Sequence, residues 1–394
     1  MKKFLNEAKP VFVVFTLQRL VSFLVSYFSK FAIPVYGGWF PYVDRVLTVT
    51  KLPNWIWGWG GFDGVHYLRI AQNGYDFIPS QAFFPLYPLL IRLFNFLPKA
   101  SGLDTSVYVD PSYFVAAIVF SNIVMFFALF AFYKFISTWF DKKIAFVSLV
   151  LLVSWPTAFY FGAIYTESIF LLLASFAFYY VIKKNYLFAG VLAALASATK
   201  VVGVCLFAVL IIEFYLDYKN KSKFSKKSIK NFFGILVAPL GLVSYMVYLW
   251  SEFGKPFYFV QAQPLFAAER SDKPIILLPQ VLYRYFKIFI NTPFLSHQFG
   301  IASLEVVMTL VPLVLLFVFV KKMKFSYWLF TLGVLIIPTL TGTFTSMPRY
   351  SLTAFVLFPL VVKYYPKTVK FIIPFLIIIQ TILLANFIRG YWVS

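Results

Sequence analysis

Long apolar runs divided by short polar tracts run the length of the chain. A bilayer core of about 30 Å needs about 20 apolar residues per crossing helix. Runs suited to crossing fall at 10–28, 112–135, 144–162, 165–182, 186–199, 201–216, 232–250, 301–320, 326–342, 351–362 and 371–388. This predicts an all-α polytopic membrane protein of about eleven transmembrane helices, one transmembrane domain over residues 1–394. The weakest pair is 186–199 and 201–216, each short for a bilayer, meeting at Lys200. A single helix there would invert every later loop, so two short helices are expected.

The polar tracts supply direction, because basic residues collect on the cytoplasmic side of short loops. A cytoplasmic N-terminus puts Lys2, Lys3 and Lys9 inside, and alternation adds Lys134, Lys142, Lys143, Lys183 and Lys184. The same parity keeps Lys219, Lys221, Lys223, Lys226, Lys227 and Lys230 inside, then Lys321, Lys322, Lys324, Lys363, Lys367 and Lys370. Acids collect opposite: Asp44, Asp63, Asp76, Asp104, Asp110, Glu167, Glu252, Glu269, Asp272 and Glu305. No small-x-small cleavage site follows Phe28, so the first span is expected to be a retained anchor. The short Lys-rich loops suit a bacterial or archaeal plasma membrane.

Two outer segments are too interrupted to cross. Residues 29–111 form a long, aromatic, Pro- and Gly-punctuated first loop, and residues 251–300 a second. Loops this long are usually functional. Within the first, Asp63, His66 and Tyr67 stand at i, i+3 and i+4, one face of a helix, with Asp63 near its N-terminus where a carboxylate is favoured. The tract 82–94, flanked by Arg92 and Lys99, suits a helix lying in the interface, as does 278–290 in the second loop.

Composition narrows the class. At 61% hydrophobic and 12% charged, the chain lies far from the soluble norm of roughly 45–50% and about 25%. The net charge of +21 reports membrane orientation rather than nucleic-acid binding. A single cysteine, Cys205, excludes an internal disulfide, and with two histidines a zinc cage is not expected. Asp44, Asp63, Asp76 and Asp104 stand singly, so no bound metal or cofactor is implied.

The tract Phe62-Asp63-Gly64-Val65-His66-Tyr67, then Asn73-Gly74-Tyr75 and Ala82-Phe83-Phe84-Pro85-Leu86-Tyr87-Pro88, resembles the first extracytoplasmic loop of the glycosylphosphatidylinositol mannosyltransferase II family and its prokaryotic relatives. Tyr165-Thr166-Glu167-Ser168, Ala198-Thr199-Lys200-Val201-Val202-Gly203, Phe253-Gly254-Lys255-Pro256 with Gln263, Arg349-Tyr350 and Gly390-Tyr391-Trp392 follow in that family's order. The resemblance implies a fold of the C-type glycosyltransferase superfamily. It also implies transfer of mannose or a similar hexose from a polyprenyl-phosphate donor to a glycan or glycolipid acceptor on the outer face. Two departures stand out: Phe62 where Trp commonly precedes the acid, and Lys200 where Arg is common. Lys cannot reproduce a bidentate Arg fork on a phosphate.

Such a transfer needs a base for the acceptor hydroxyl, and Asp63 is the candidate; otherwise it only caps a helix. Lys200 and Arg349 are candidates for the leaving lipid phosphate, or else a snorkelling lysine and a flanking charge. His66, Tyr67, Glu167 and Gln263 are candidate substrate contacts, with His297 ranked below. Glu167 equally suits a salt bridge to Lys200 or an N-terminal dipole contact. Arg19, midway along the first span, faces either lipid phosphate or the protein interior. A lipid or polysaccharide flippase is the rival reading, but it should show related halves and midplane charges, and no internal repeat appears. A noncatalytic scaffold is a third. Protein partners are not indicated.

Overall fold

The structure, a computed structural model, describes residues 2–36, 42–219, 226–266, 270–271 and 275–394. Lys221, Lys223, Glu269 and Asp272, used above for orientation, lie outside them. The described residues hold helices and turns and no strand. Helices of eight residues or more are α1 (Lys2–Ala32), α2 (Asp63–Asn73), α3 (Leu86–Phe94), α4 (Pro111–Trp139), α5 (Lys142–Val153), α6 (Glu167–Ile182), α7 (Tyr186–Ser197) and α8 (Cys205–Tyr218). They continue with α9 (Lys226–Val237), α10 (Leu240–Phe253), α11 (Leu278–Asn291), α12 (His297–Val318), α13 (Phe325–Ile336), α14 (Leu357–Tyr364) and α15 (Pro366–Ile388).

Six stretches among the described residues are long and apolar enough to cross a membrane: Glu7–Ala32, Pro111–Trp139, Val201–Tyr218, Ser228–Phe253, His297–Val318 and Pro366–Ile388. The other five expected spans are shorter or broken, and proline explains two of the breaks. The expected span 144–162 stops as a helix at Val153, just before Pro156, and resumes as a 3-10 turn, Ala158–Gly162. Pro338 likewise turns the end of α13 into the 3-10 turn Ile337–Thr341, and Pro239 divides α9 from α10 within one span-length stretch. A proline ring clashes with the preceding turn and offers no N–H. Span 351–362 is a 3-10 turn, Ser351–Ala354, and the short α14.

Two compact units emerge: Met1–Leu172 with Tyr365–Val393, and Leu173–Tyr364 with Ser394. In the first, α1 packs on α4 and α15, and α2 packs on α3. Asp110 caps α4 by accepting from the Ser112 N–H at 2.9 Å, with Pro111 as the first helical residue, the arrangement expected at a helix start. Arg92 of α3 is more than a flanking charge. Its Nε donates to the Ala71 carbonyl at 2.5 Å and its Nη2 to that of Gln72 at 2.9 Å, so a cation closes the C-terminus of α2.

In the second unit α7 packs on α9 and α10, and α8 on α13. Ion pairs join residues that the parity of spans assigns to one side: Lys134 with Glu7 in the first unit, and in the second Lys184 with Asp217 at 2.8 Å and Lys324 with Glu213 at 2.5 Å.

Candidate active site

Asp63 is the first residue of α2, and the residue before it carries the strain. Phe62 has φ 55° and ψ −117°, a region a side-chain-bearing residue rarely occupies. Its ring is held against Phe387, centroids 5.7 Å apart, and edge-on to Trp392 at 5.2 Å. This aromatic clamp fixes the turn from which Asp63 emerges, at the positive end of the helix dipole. Asp63 thus lies one residue inside the capping position.

The segment leading into Asp63 is tied to the one carrying Glu167, a century of residues away. The Ile164 N–H donates to the Trp59 carbonyl at 3.0 Å, and the Tyr165 hydroxyl donates to the Gly61 carbonyl at 3.0 Å. Glu167 begins α6 as a buried residue. Its charge helps burial push the Tyr87 hydroxyl far above the usual phenol range, against a 2.6 Å bond between that hydroxyl and Ser121. Tyr67 bridges these parts, its ring 5.1 Å from Tyr87, 5.1 Å from Phe83 and 6.4 Å from Tyr165. The first unit therefore brings together Asp63, Tyr67 and Glu167, all expected from the sequence, and adds Tyr87.

His66 occupies a different setting from a sugar contact on an open loop. Its ring stacks on Phe83 at 4.9 Å and Phe77 at 5.7 Å, with Tyr42 edge-on at 5.9 Å. Burial pushes the imidazole down to about 4, against the pull of Asp63 and with some help from Arg69. Burial thus favours the neutral ring, in which one nitrogen donates and the other accepts.

In the second unit, Lys200 and Arg349 meet on one ring. Lys200 is extended, φ −150° and ψ 143°, between α7 and the turn Val201–Val204, and its Nζ lies 5.1 Å from the Tyr350 centroid. The Arg349 guanidinium carbon lies 5.5 Å from the same centroid. Both cations are buried. Both cations thus approach one electron-rich ring, which attracts each of them.

Gln263 joins this cluster through a residue the sequence reading passed over. The Gln263 Oε1 accepts from Arg270 Nη1 at 2.7 Å, and Arg270 Nη2 donates to the Ser346 hydroxyl at 3.1 Å. Arg284 Nη1 donates to the Gly342 carbonyl at 3.1 Å, and the Tyr285 hydroxyl donates to Glu305 and accepts from the Phe344 N–H. Residues 342–346, just before Arg349, are thus pinned from α11 and α12. The signal available was the run Thr341-Gly342-Thr343-Phe344-Thr345-Ser346, polar where its surroundings are apolar. His297 takes no part in these bonds and opens α12 after the cap Ser296.

The family described as mannosyltransferase (PIG-V) matches residues 46–261, which take in Asp63, His66, Tyr67, Glu167 and Lys200. No curated protein matches the chain. Among solved structures the chain is similar to the oligosaccharyltransferase of Archaeoglobus fulgidus. Against its form with zinc and sulfate the identity is 13% and the TM-score 0.40, over 94% of this chain and 53% of that one. Against the form with an inhibitory peptide and a dolichol-phosphate they are 12% and 0.41, over 96% and 56%. The chain spans about half the length of those structures.

Proposed function

The chain belongs to the mannosyltransferase (PIG-V) family, and from that premise we propose that it is an integral-membrane hexosyltransferase. It moves mannose, or a similar hexose, from a polyprenyl-phosphate donor to a glycan or glycolipid acceptor on the extracytoplasmic face. The supporting observation is the setting of Asp63: an acid at the head of a buried helix, fixed by a strained aromatic turn and tied to the segment of Glu167.

In this reading the acceptor hydroxyl oxygen attacks the anomeric carbon as the bond from that carbon to the donor phosphate breaks, and Asp63 takes the hydroxyl proton. The configuration inverts and polyprenyl phosphate leaves. Lys200 and Arg349 contact the phosphate, whose charge grows as the bond breaks, so their contribution rises toward the transition state. Tyr67, Glu167 and Gln263 hold sugar hydroxyls, while His66 supports Tyr67 from within its aromatic stack. The protein sits in the plasma membrane with its N-terminus inside.

The test is transfer of radiolabelled mannose from a short-chain polyprenyl-phosphate mannose into membrane lipid by purified protein. Lipid-soluble product formed by the wild type and not by Asp63→Asn is the expected result. Movement of the donor across a vesicle bilayer without transfer would turn the reading toward a flippase.

A further inference from the structure

Arg19 lies at the middle of the span Glu7–Ala32, in the first unit, and is 5% exposed. None of its guanidinium nitrogens reaches an acceptor among the described residues. Its faces meet the rings of Phe23 and Trp59, 4.6 and 4.5 Å from the guanidinium carbon. Gly162 leaves it room: a β-carbon there would stand 2.0 Å from Nη1. Arginine at the centre of a span costs about 2.5–3.5 kcal/mol even on insertion scales. Cation–π contacts of roughly 0.5–2 kcal/mol each offset part of this but leave five N–H donors unused. The chemistry asks for an anion that the described residues do not supply.

Beside it, between α1 and α4, runs a groove of about 540 Å³ lined by Phe15, Phe23, Val119, Asn122, Ile123 and Phe127, among others. Phe15 and Phe23 stand one helical turn on either side of Arg19. Phe23, Val119, Ile123 and Phe127 are exposed, on the flank a bilayer covers. Asn122, the one polar residue of the lining, donates to the Ile118 carbonyl at 2.7 Å and to the Gly162 carbonyl at 3.5 Å. The groove's polar end and the Arg19 pocket therefore share Gly162, and Phe23 forms the wall between them.

We propose that Arg19 and this groove form a lateral site for a single-chain lipid phosphate, the polyprenyl phosphate released by transfer. Its chain lies along the groove and its phosphate, once the Phe23 ring turns aside, takes the Arg19 fork. A phosphate monoester matches that fork, and one interhelical groove matches one chain. A two-chain phospholipid would bring glycerol esters and a second chain to the middle of a span. The location supports the same choice. Trp59 and Gly162 belong to the two segments that are bonded together beside Asp63, so the pocket backs onto the proposed transfer site from the membrane side. This inference rests on the function proposed above.

The test uses full-length purified protein without sugar donor, and a farnesyl phosphate carrying a photoactivatable group at the far end of its chain. Labelling within 118–127 is expected, falling about tenfold or more in Arg19→Gln, the scale of lost charged hydrogen bonds. Val119→Trp, which fills the groove without touching Arg19, should do the same, and Gly162→Ala should weaken labelling by displacing the guanidinium. The last two keep the test decisive if Arg19→Gln does not fold. The inference falls if labelling survives these variants, or if the corresponding alcohol labels equally. It falls too if inorganic phosphate abolishes labelling, or if phosphatidylglycerol vesicles compete as well as the unlabelled lipid phosphate. Labelling as expected in a protein that transfers no sugar would sink the proposed function and leave the lipid-phosphate site standing. Transfer without labelling would do the reverse.

Discussion

The acid region of the first unit and the cation region of the second are built on opposite plans. Asp63, His66 and Tyr67 come from one helix of eleven residues, and the surroundings are rings, carbonyls and hydroxyls. Lys200, Gln263, Arg270, Arg284 and Arg349 come from separate segments and converge on Tyr350 and residues 342–346. A carboxylate that must accept a proton is served by a single rigid support and few competing charges. Gathering cations requires many supports, because each repels the next and must be held by its own donor–acceptor geometry.

The sharpest way to break the comparison is Asp63→Asn. Turnover should fall by about 10² or more, the scale of a lost general base, with donor KM little changed. A change confined to KM would move Asp63 into the binding group with the cations. Next come Lys200→Ala and Arg349→Ala, each expected to raise donor KM and lower kcat by about tenfold. Because both cations sit on Tyr350, the double variant should cost less than the product of the singles. Lys200→Arg should keep most activity, and normal kinetics in Lys200→Ala would show that the lysine only snorkels.

Arg270→Ala should act more weakly, about fivefold on turnover, since it removes a brace between Gln263 and Ser346 worth about 1 kcal/mol. Kinetics of Arg270→Ala beside Arg349→Ala measure whether bracing and contact differ. The smallest effect concerns His66, whose folded value lies below its unfolded one. Below pH 6.5 the unfolded chain binds more protons, so stability falls with acidification until the folded value is reached. Between pH 7 and 5 this amounts to roughly 1–2 kcal/mol. Thermal melting of His66→Phe should show a flatter acid limb than the wild type. An unchanged limb would place the imidazole in water rather than between Phe77 and Phe83.

This contrast also explains what could be read from the sequence. The helix carrying Asp63 and the order of apolar segments were legible because each depends on neighbours in the chain. The break at Lys200 was legible for the same reason. Arg270, Arg284 and Tyr285 were not, because nothing local distinguishes an arginine that braces a distant turn from one at an interface. The setting of His66 was hidden too, since its stacking partners Phe77 and Phe83 lie beyond one helical turn. Proline-ended helices were read too long, as hydropathy does not register the missing N–H of Pro156 or Pro338.

One contact in the second unit bears on how the enzyme moves. A β-carbon on Gly190 of α7 would stand 1.8 Å from the Gly234 carbonyl oxygen, and one on Gly234 of α9 would stand 2.2 Å from that of Tyr186. Backbones this close leave no side-chain cushion, so neither helix can slide or roll past the other without a collision of main-chain atoms. Lys200 hangs from the far end of that welded pair. Any stroke that carries the lysine must carry α7 and α9 as a single beam, which makes the pair a lever arm rather than a hinge and sends the bending to the turns at either end.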